Sequence, residues 1–110
     1  MTSLKIIKNY INGEFVDSEN YFDDISPVDG TLVAKVSEAD EIIVDNAVQA
    51  AKNALHGEWG AMSQKDRSEM LNKVADEIEQ RFDDFVAAEI ADTGKAHAQV
   101  KNIDIPRGAA

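Results

Sequence analysis

Glu89–Lys95 reads EIADTGK, and shortly after it Ile103–Ala110 reads IDIPRGAA. A long amphipathic pattern runs into the first segment, Gly94 breaks it, and a second helical pattern follows. Working back from Gly94, Leu71, Val74, Ala75, Ile78, Phe82, Phe85 and Val86 recur at three- and four-residue spacing, which places them on one helical face. Lys73, Asp76, Glu77, Glu79 and Arg81 fall on the opposite face. Ser63 is a good N-cap, with Asp66 three residues on as a capping-box-like acid. The pattern predicts helix over about 63–93, with a joint near 81–84 and its stripe facing a core. Residues 96–110 read as helical again. Pro106 biases Ile105 away from the helical region, so a kink or restart is expected there.

Upstream the pattern changes period. Lys5–Val16 (KIIKNYINGEFV) is rich in strand formers, and Asn12-Gly13 is a two-residue hairpin turn. Strands are expected at about 5–11 and 14–17, a third extended piece at Tyr21–Ile25, and a short strand over Leu32–Val36. Ser26–Gly30 (SPVDG) is turn chemistry. This makes a small β unit over about 5–36 that needs other structure to lie against. Ser37 and Asp40 are both candidate N-caps for a helix over about 40–55, whose apolar face is Ile43, Ala47, Ala50, Ala51, Ala54 and Leu55. His56-Gly57 ends it. Glu58–Met62 reads as a connector whose Trp59 fills a gap between helices. The fold class is α/β, a β-hairpin unit followed by amphipathic helices, and residues 1–110 amount to one domain or a piece of one.

Charge and composition exclude several function classes. Twenty-one acids against 11 Lys and Arg give a net charge of −10. Such a chain offers no basic face to nucleic acid or to an anionic membrane surface. There is no Cys, so neither a disulfide nor a thiolate nucleophile is available within these residues. Met1–Lys8 has too short an apolar run for a signal peptide, and no segment approaches the roughly 18 apolar residues of a membrane span. A soluble, cytoplasmic protein is expected.

Motif chemistry is sparse. His56 and His97 have no spaced partner ligands, and the six glycines are too scattered for a phosphate-cradling loop. The pairs Asp23-Asp24 and Asp83-Asp84 are adjacent in sequence and therefore diverge in direction. Two positions stand out. Asp92 lies at the end of a helix, where an acid opposes the helix dipole and a bound cation would relieve the penalty. Arg107 follows a stiffened Ile105-Pro106 bend beside Gly108, Ala109 and Ala110, a place from which a guanidinium could meet a carboxylate. On the residues alone, the simpler readings are a solvated acid and a surface arginine.

The order of these segments is familiar. YINGEFVDS, then FDDISPVDGTLVAKVSEAD, then WGAM and RSEMLNKVADEIEQRFDDFVAAEIADTGK resemble the opening of the NAD-dependent aldehyde dehydrogenase superfamily. There a hairpin of the form F-I-N-G-E precedes an N-P-x-x-G turn, and a later helix ends in E-x-x-D-x-G-K. Here Ser26 stands in place of the usual Asn before Pro27. Glu89, Asp92, Gly94 and Lys95 fit the later signature. The IDIPRGAA tail resembles the branch that acts on 2-hydroxymuconic and 2-aminomuconic semialdehydes, ring-cleavage products of aromatic catabolism.

That resemblance implies an NAD-using oxidoreductase, a small semialdehyde substrate, and an oligomeric parent enzyme. It assigns Arg107 as the clamp for the substrate carboxylate. It assigns a monovalent cation to the backbone carbonyls of Asp24 and Ile25 and the carboxylate of Asp92. The family's chemistry uses a thiolate to attack the aldehyde, hydride departure to NAD, and water to release the acid. The Cys, Glu and Asn it needs, and the nucleotide loop, lie downstream in the family. The expectation is thus an N-terminal portion that depends on the rest of an aldehyde dehydrogenase chain, is inactive alone and leaves apolar stripes uncovered. Another branch, such as one for betaine aldehyde, and a free-standing non-catalytic interaction module remain as alternatives.

Overall fold

The computed structural model describes residues 4–110; the first three residues of the Met1–Lys8 segment lie outside the described residues. The chain divides into two compact units. One comprises residues up to Ile25 together with Leu32–Met62, and the other Ser26–Thr31 together with Ser63–Ala110. Strands occupy only the first and the second is helical, so the chain is mixed α/β.

In the first unit the strands are β1 (Ile6–Ile7), β2 (Asn9–Ile11), β3 (Glu14–Val16), β4 (Asn20–Ile25) and β5 (Leu32–Glu38). The single strand expected over 5–11 is in fact two, and they belong to different sheets. β1 runs parallel to β5, pairing Ile6 with Lys35 and Ile7 with Val36. β2 pairs antiparallel with β3, Tyr10 opposite Phe15. The reason is competition for partners. The local hairpin claims Asn9 onward, where the Asn9 side-chain amide also donates to Val16 O at 3.2 Å and Ser18 Oγ at 2.8 Å. The residues before Lys8 are left to a distant strand. The turn itself is as the Asn-Gly pair dictates: Asn12 has φ 52° and Gly13 φ 81°, the doubly left-handed geometry that matches strand twist. Tyr10 and Phe15 meet edge to face across it, with centroids 5.1 Å apart.

β4 and β5 form an antiparallel ladder from Asn20↔Glu38 to Ile25↔Leu32, with a register shift between Asp24 and Ile25. The ladder extends the strand expected at 32–36 to Glu38, and Ser37 therefore lies inside β5 and does not cap the next helix. Asp40 does: its Oδ1 accepts from Ile43 N at 2.8 Å, opening α1 (Glu41–Leu55). The Glu58–Met62 connector contains a helical turn, α2 (Glu58–Ala61). Gly60 is what lets it fold back, since a Cβ there would fall 1.6 Å from the Leu55 carbonyl oxygen. Trp59, expected to fill a gap between helices, is 36% exposed.

In the second unit the stripe expected over 63–93 is carried by two helices, α3 (Gln64–Gln80) and α4 (Phe82–Thr93). Ser63 Oγ caps α3 by accepting from Asp66 N at 3.1 Å. Arg81, at φ −103° and ψ 25°, closes α3 and opens α4. Beyond Gly94 come α5 (His97–Gln99), a π-helical turn (Val100–Asp104) and α6 (Ile105–Ala109). The expected loss of helical geometry at Ile105 does not occur, for its φ is −71° and its ψ −45°. The wider turn supplies the reason. Ile105 N–H reaches back five residues to Val100 O, so the chain arrives at Pro106 with the proline in the opening turn of α6. There its missing N–H costs no bond.

Burial is thin. Among the described residues the buried apolar set is Ala34, Val86 and Val100, and α1 and α3 contain no buried residue. The stripe read as core-facing is therefore left open along α3: Leu71 is 63% and Val74 56% exposed. Val44, Val48 and Leu55 of α1 are exposed in the same way. Among the described residues, no helix is long and apolar enough to cross a membrane.

Candidate functional site

The end of α4 is built by Gly94. Its φ of 69° is the left-handed cap geometry, and its N–H donates to Ile90 O at 2.9 Å. Any residue with a Cβ would pay a strain penalty at that φ. Close packing adds a second constraint, because a Cβ on Gly94 would meet Pro27 Cγ at 2.9 Å and Val28 Cγ2 at 3.1 Å. The Pro27-Val28 turn is itself cross-braced. Ser26 N–H donates to Thr31 O at 2.8 Å, and Asp29 Oδ1 accepts from both Thr31 N and Thr31 Oγ1 at 3.0 and 2.7 Å. Those two donors hold the Asp29 carboxyl below its ordinary pKa.

Just before Gly94, Thr93 Oγ1 donates to Glu89 O at 2.8 Å and accepts from Lys95 N–H at 3.3 Å. Asp92 is exposed beside this cap. The last turn of α4 holds no basic residue, and among the described residues Asp92 has no ion-pair partner. Among the described residues, the acid at the negative end of α4 therefore has no paired cation to offset the helix dipole.

Arg107 projects from α6, which lies against α3, α4 and the π-helical turn. That turn is anchored by Val100, fully buried at 0% exposure. Arg107 is exposed and, among the described residues, has no ion-pair partner. Three residues earlier, Asp104 is occupied by Lys95, whose Nζ lies 3.0 Å from Asp104 Oδ2. Sequence reading missed this pair. Its nine-residue separation crosses the α4 cap and the π-helical turn, so no helical period joins the two positions.

Asp24 and Ile25 end β4 in the first unit, paired with Ala34 and Leu32 on either side of the register shift. The second unit brings α4, with Asp92, and α6, with Arg107, onto neighbouring helices. Among the described residues no group of three or more His, Asp or Glu side chains could hold a metal. The Asp92 carboxylate is a hard oxygen donor, of the kind that suits an alkali cation better than a softer metal. The residues present do not fit a dinucleotide: glycines 13, 30, 57, 60, 94 and 108 form no phosphate-binding loop.

Comparison with known proteins shows the family. Residues 15–110 match the aldehyde dehydrogenase family. The chain is 51% identical over 109 residues to a 2-hydroxymuconic semialdehyde dehydrogenase of Pseudomonas sp. (strain CF600), a match covering 97% of this chain and 22% of that protein. It is 46% identical over 107 residues to a 2-aminomuconic 6-semialdehyde dehydrogenase of Pseudomonas sp., again covering 97% of this chain and 22% of the relative. Among solved structures, an aldehyde dehydrogenase from Bacillus cereus in an NAD+ complex superposes with a TM-score of 0.91 at 33% identity, covering 96% of this chain and 22% of that one. The chain thus spans about a fifth of the length of these relatives, and over that span its sequence and its fold are similar to theirs: it belongs to the aldehyde dehydrogenase family.

Proposed function

We propose that these 110 residues act as the N-terminal part of a cytoplasmic, NAD-dependent dehydrogenase that oxidises a 2-hydroxymuconic-type semialdehyde to the dicarboxylic acid. The 51% identity to a 2-hydroxymuconic semialdehyde dehydrogenase is the observation that carries this reading. Arg107, exposed and without an ion-pair partner among the described residues, supports it, because the substrate bears a carboxylate at the end of its chain away from the reacting aldehyde. A guanidinium holds a carboxylate through two parallel charge-assisted bonds, which fixes orientation as well as position. No Cys occurs in the chain, so the attacking thiolate comes from elsewhere in the enzyme, and the role of these residues is binding and positioning. The parent acts as a homo-oligomer.

The same reading gives Asp92 a monovalent cation. Its support is the hard oxygen donor at the α4 terminus, which has no paired cation among the described residues. In the full-length enzyme, KCl should raise the thermal midpoint relative to tetramethylammonium chloride at equal ionic strength, and Asp92→Asn should abolish the difference. An unaltered difference in that variant removes Asp92 from the site. Substrate profiling tests the reaction class. A muconic-type semialdehyde should be turned over with much higher kcat/KM than betaine aldehyde, and the reverse order would place the enzyme in another branch.

A further inference from the structure

Arg107 is useful to an anionic substrate only while no carboxylate of the protein holds it. Asp104 is the natural competitor. It stands three residues before Arg107 on continuous helical backbone, with Asp104 at φ −65°, ψ −51° and Ile105 at φ −71°, ψ −45°. Side chains at that spacing are neighbours, and an acid preceding an arginine by three is a favourable helical pair. Yet Asp104 is paired to Lys95 instead, Nζ to Oδ2 at 3.0 Å, with the Asp104 side chain only 22% exposed. Lys95 reaches it from the connection after the Gly94 cap, a different part of the fold.

We infer that Lys95 is a positioning residue for substrate recognition: by engaging Asp104 it keeps Arg107 unpaired and available to the carboxylate of the semialdehyde. The inference rests on the clamp reading of Arg107 given above. Removing the Lys95 charge frees Asp104 to turn to Arg107, so the substrate carboxylate must then displace an internal partner. The Lys95–Asp104 pair is partly exposed and the competing pair is of the weak, helical kind, so the penalty is modest, about three- to fivefold in substrate affinity.

A double-mutant cycle in the full-length enzyme tests it. Lys95→Met should raise KM for the muconic-type semialdehyde, and Kd for its dicarboxylate product by calorimetry, about three- to fivefold. Its kcat, and its KM for an uncharged aldehyde, should stay near the parent values. Asp104→Asn alone should leave the semialdehyde KM nearly unaltered, because Asp104 is already neutralised. Added to Lys95→Met, it should restore the parent KM. Additive effects would mean that Lys95 merely attracts anions through space, and equal effects on both aldehydes would mean a structural role; either overturns the inference. The Arg107→Ala background separates it from the reading beneath. If Arg107→Ala leaves the two aldehydes equally affected, the clamp itself fails. If it is charge-selective while Lys95→Met has no effect, only the role of Lys95 fails.

Discussion

Gly94 lies against Pro27: a Cβ added to Gly94 would fall 2.9 Å from Pro27 Cγ. The turn that follows β4 is thereby seated on the C-terminal cap of α4. Two independent constraints meet at this glycine, its positive φ of 69° and the absence of room. Gly30 has a similar φ of 74° but nothing within 4 Å of its added Cβ. Gly30→Ala should therefore cost about 1 kcal/mol, the left-handed penalty alone. Gly94→Ala should cost more, about 2–3 kcal/mol, since ring and methyl must also shift. Urea midpoints of the two variants check the ordering, and equal losses would contradict it.

The two helix caps offer a cleaner measurement. Asp40 and Ser63 each accept one N–H that would otherwise be unsatisfied, at 2.8 and 3.1 Å. Asp40→Ala and Ser63→Ala should each lower stability by about 1 kcal/mol. Ser37, the other candidate cap, lies inside β5 and should contribute nothing to α1. Hydrogen exchange in the first turn of α1 should rise in Asp40→Ala and stay unaltered in Ser37→Ala.

The Asp17–Tyr21 contact makes a prediction in pH. Tyr21 Oη donates to Asp17 Oδ1 at 2.7 Å, and Lys8 Nζ stands 3.2 Å from Asp17 Oδ2. First the phenol and then the ammonium hold the Asp17 carboxyl below its ordinary 3.8. A lowered carboxyl contributes stability that is full above the unfolded value and fades as pH falls through the folded one. The same bond raises the Tyr21 phenol above 10.0, so its contribution is full below that value and fades as pH rises through the raised one. Tyr21→Phe should move the Asp17 titration, followed by carbon-detected NMR, up toward 3.8; an unmoved titration would show that Tyr21 is not its cause.

The open stripe on α3 and α4 predicts association of the isolated chain. Leu71, Val74 and Phe85 are exposed apolar residues at 63, 56 and 40%, a surface that monomers seldom leave contiguous. The 110-residue chain alone should elute above its 12.0 kDa and bind a hydrophobic dye. Leu71→Glu with Val74→Glu should return it toward monomer size. A monodisperse parent chain would favour the free-standing module over the dependent segment.

Local chemistry was legible in the sequence wherever the deciding partner is close. Asn12-Gly13 sets its own hairpin, Asp40 and Ser63 cap the residues three positions on, and Gly94 ends α4 by its own φ. What escaped depends on distant partners. Nothing near Lys8 announces that Ile6 and Ile7 will pair with Lys35 and Val36. The proline rule misjudged Ile105 because a π-helical turn upstream absorbs the missing donor. Lys95–Asp104 is invisible to any period for the same reason. Arg107 and Asp92 were singled out by helix position and by resemblance, and the structure adds that neither has an ion-pair partner among the described residues.

The clamp role of Arg107 is the centre of the account, and one comparison addresses it directly. In the full-length enzyme, KM is measured for a muconic-type semialdehyde and for an uncharged aldehyde of similar size, before and after Arg107→Ala. Loss of a charge-assisted bidentate contact should raise the first about ten- to hundredfold and leave the second within about twofold. Equal changes in the two values would contradict the assignment of Arg107 to the substrate carboxylate.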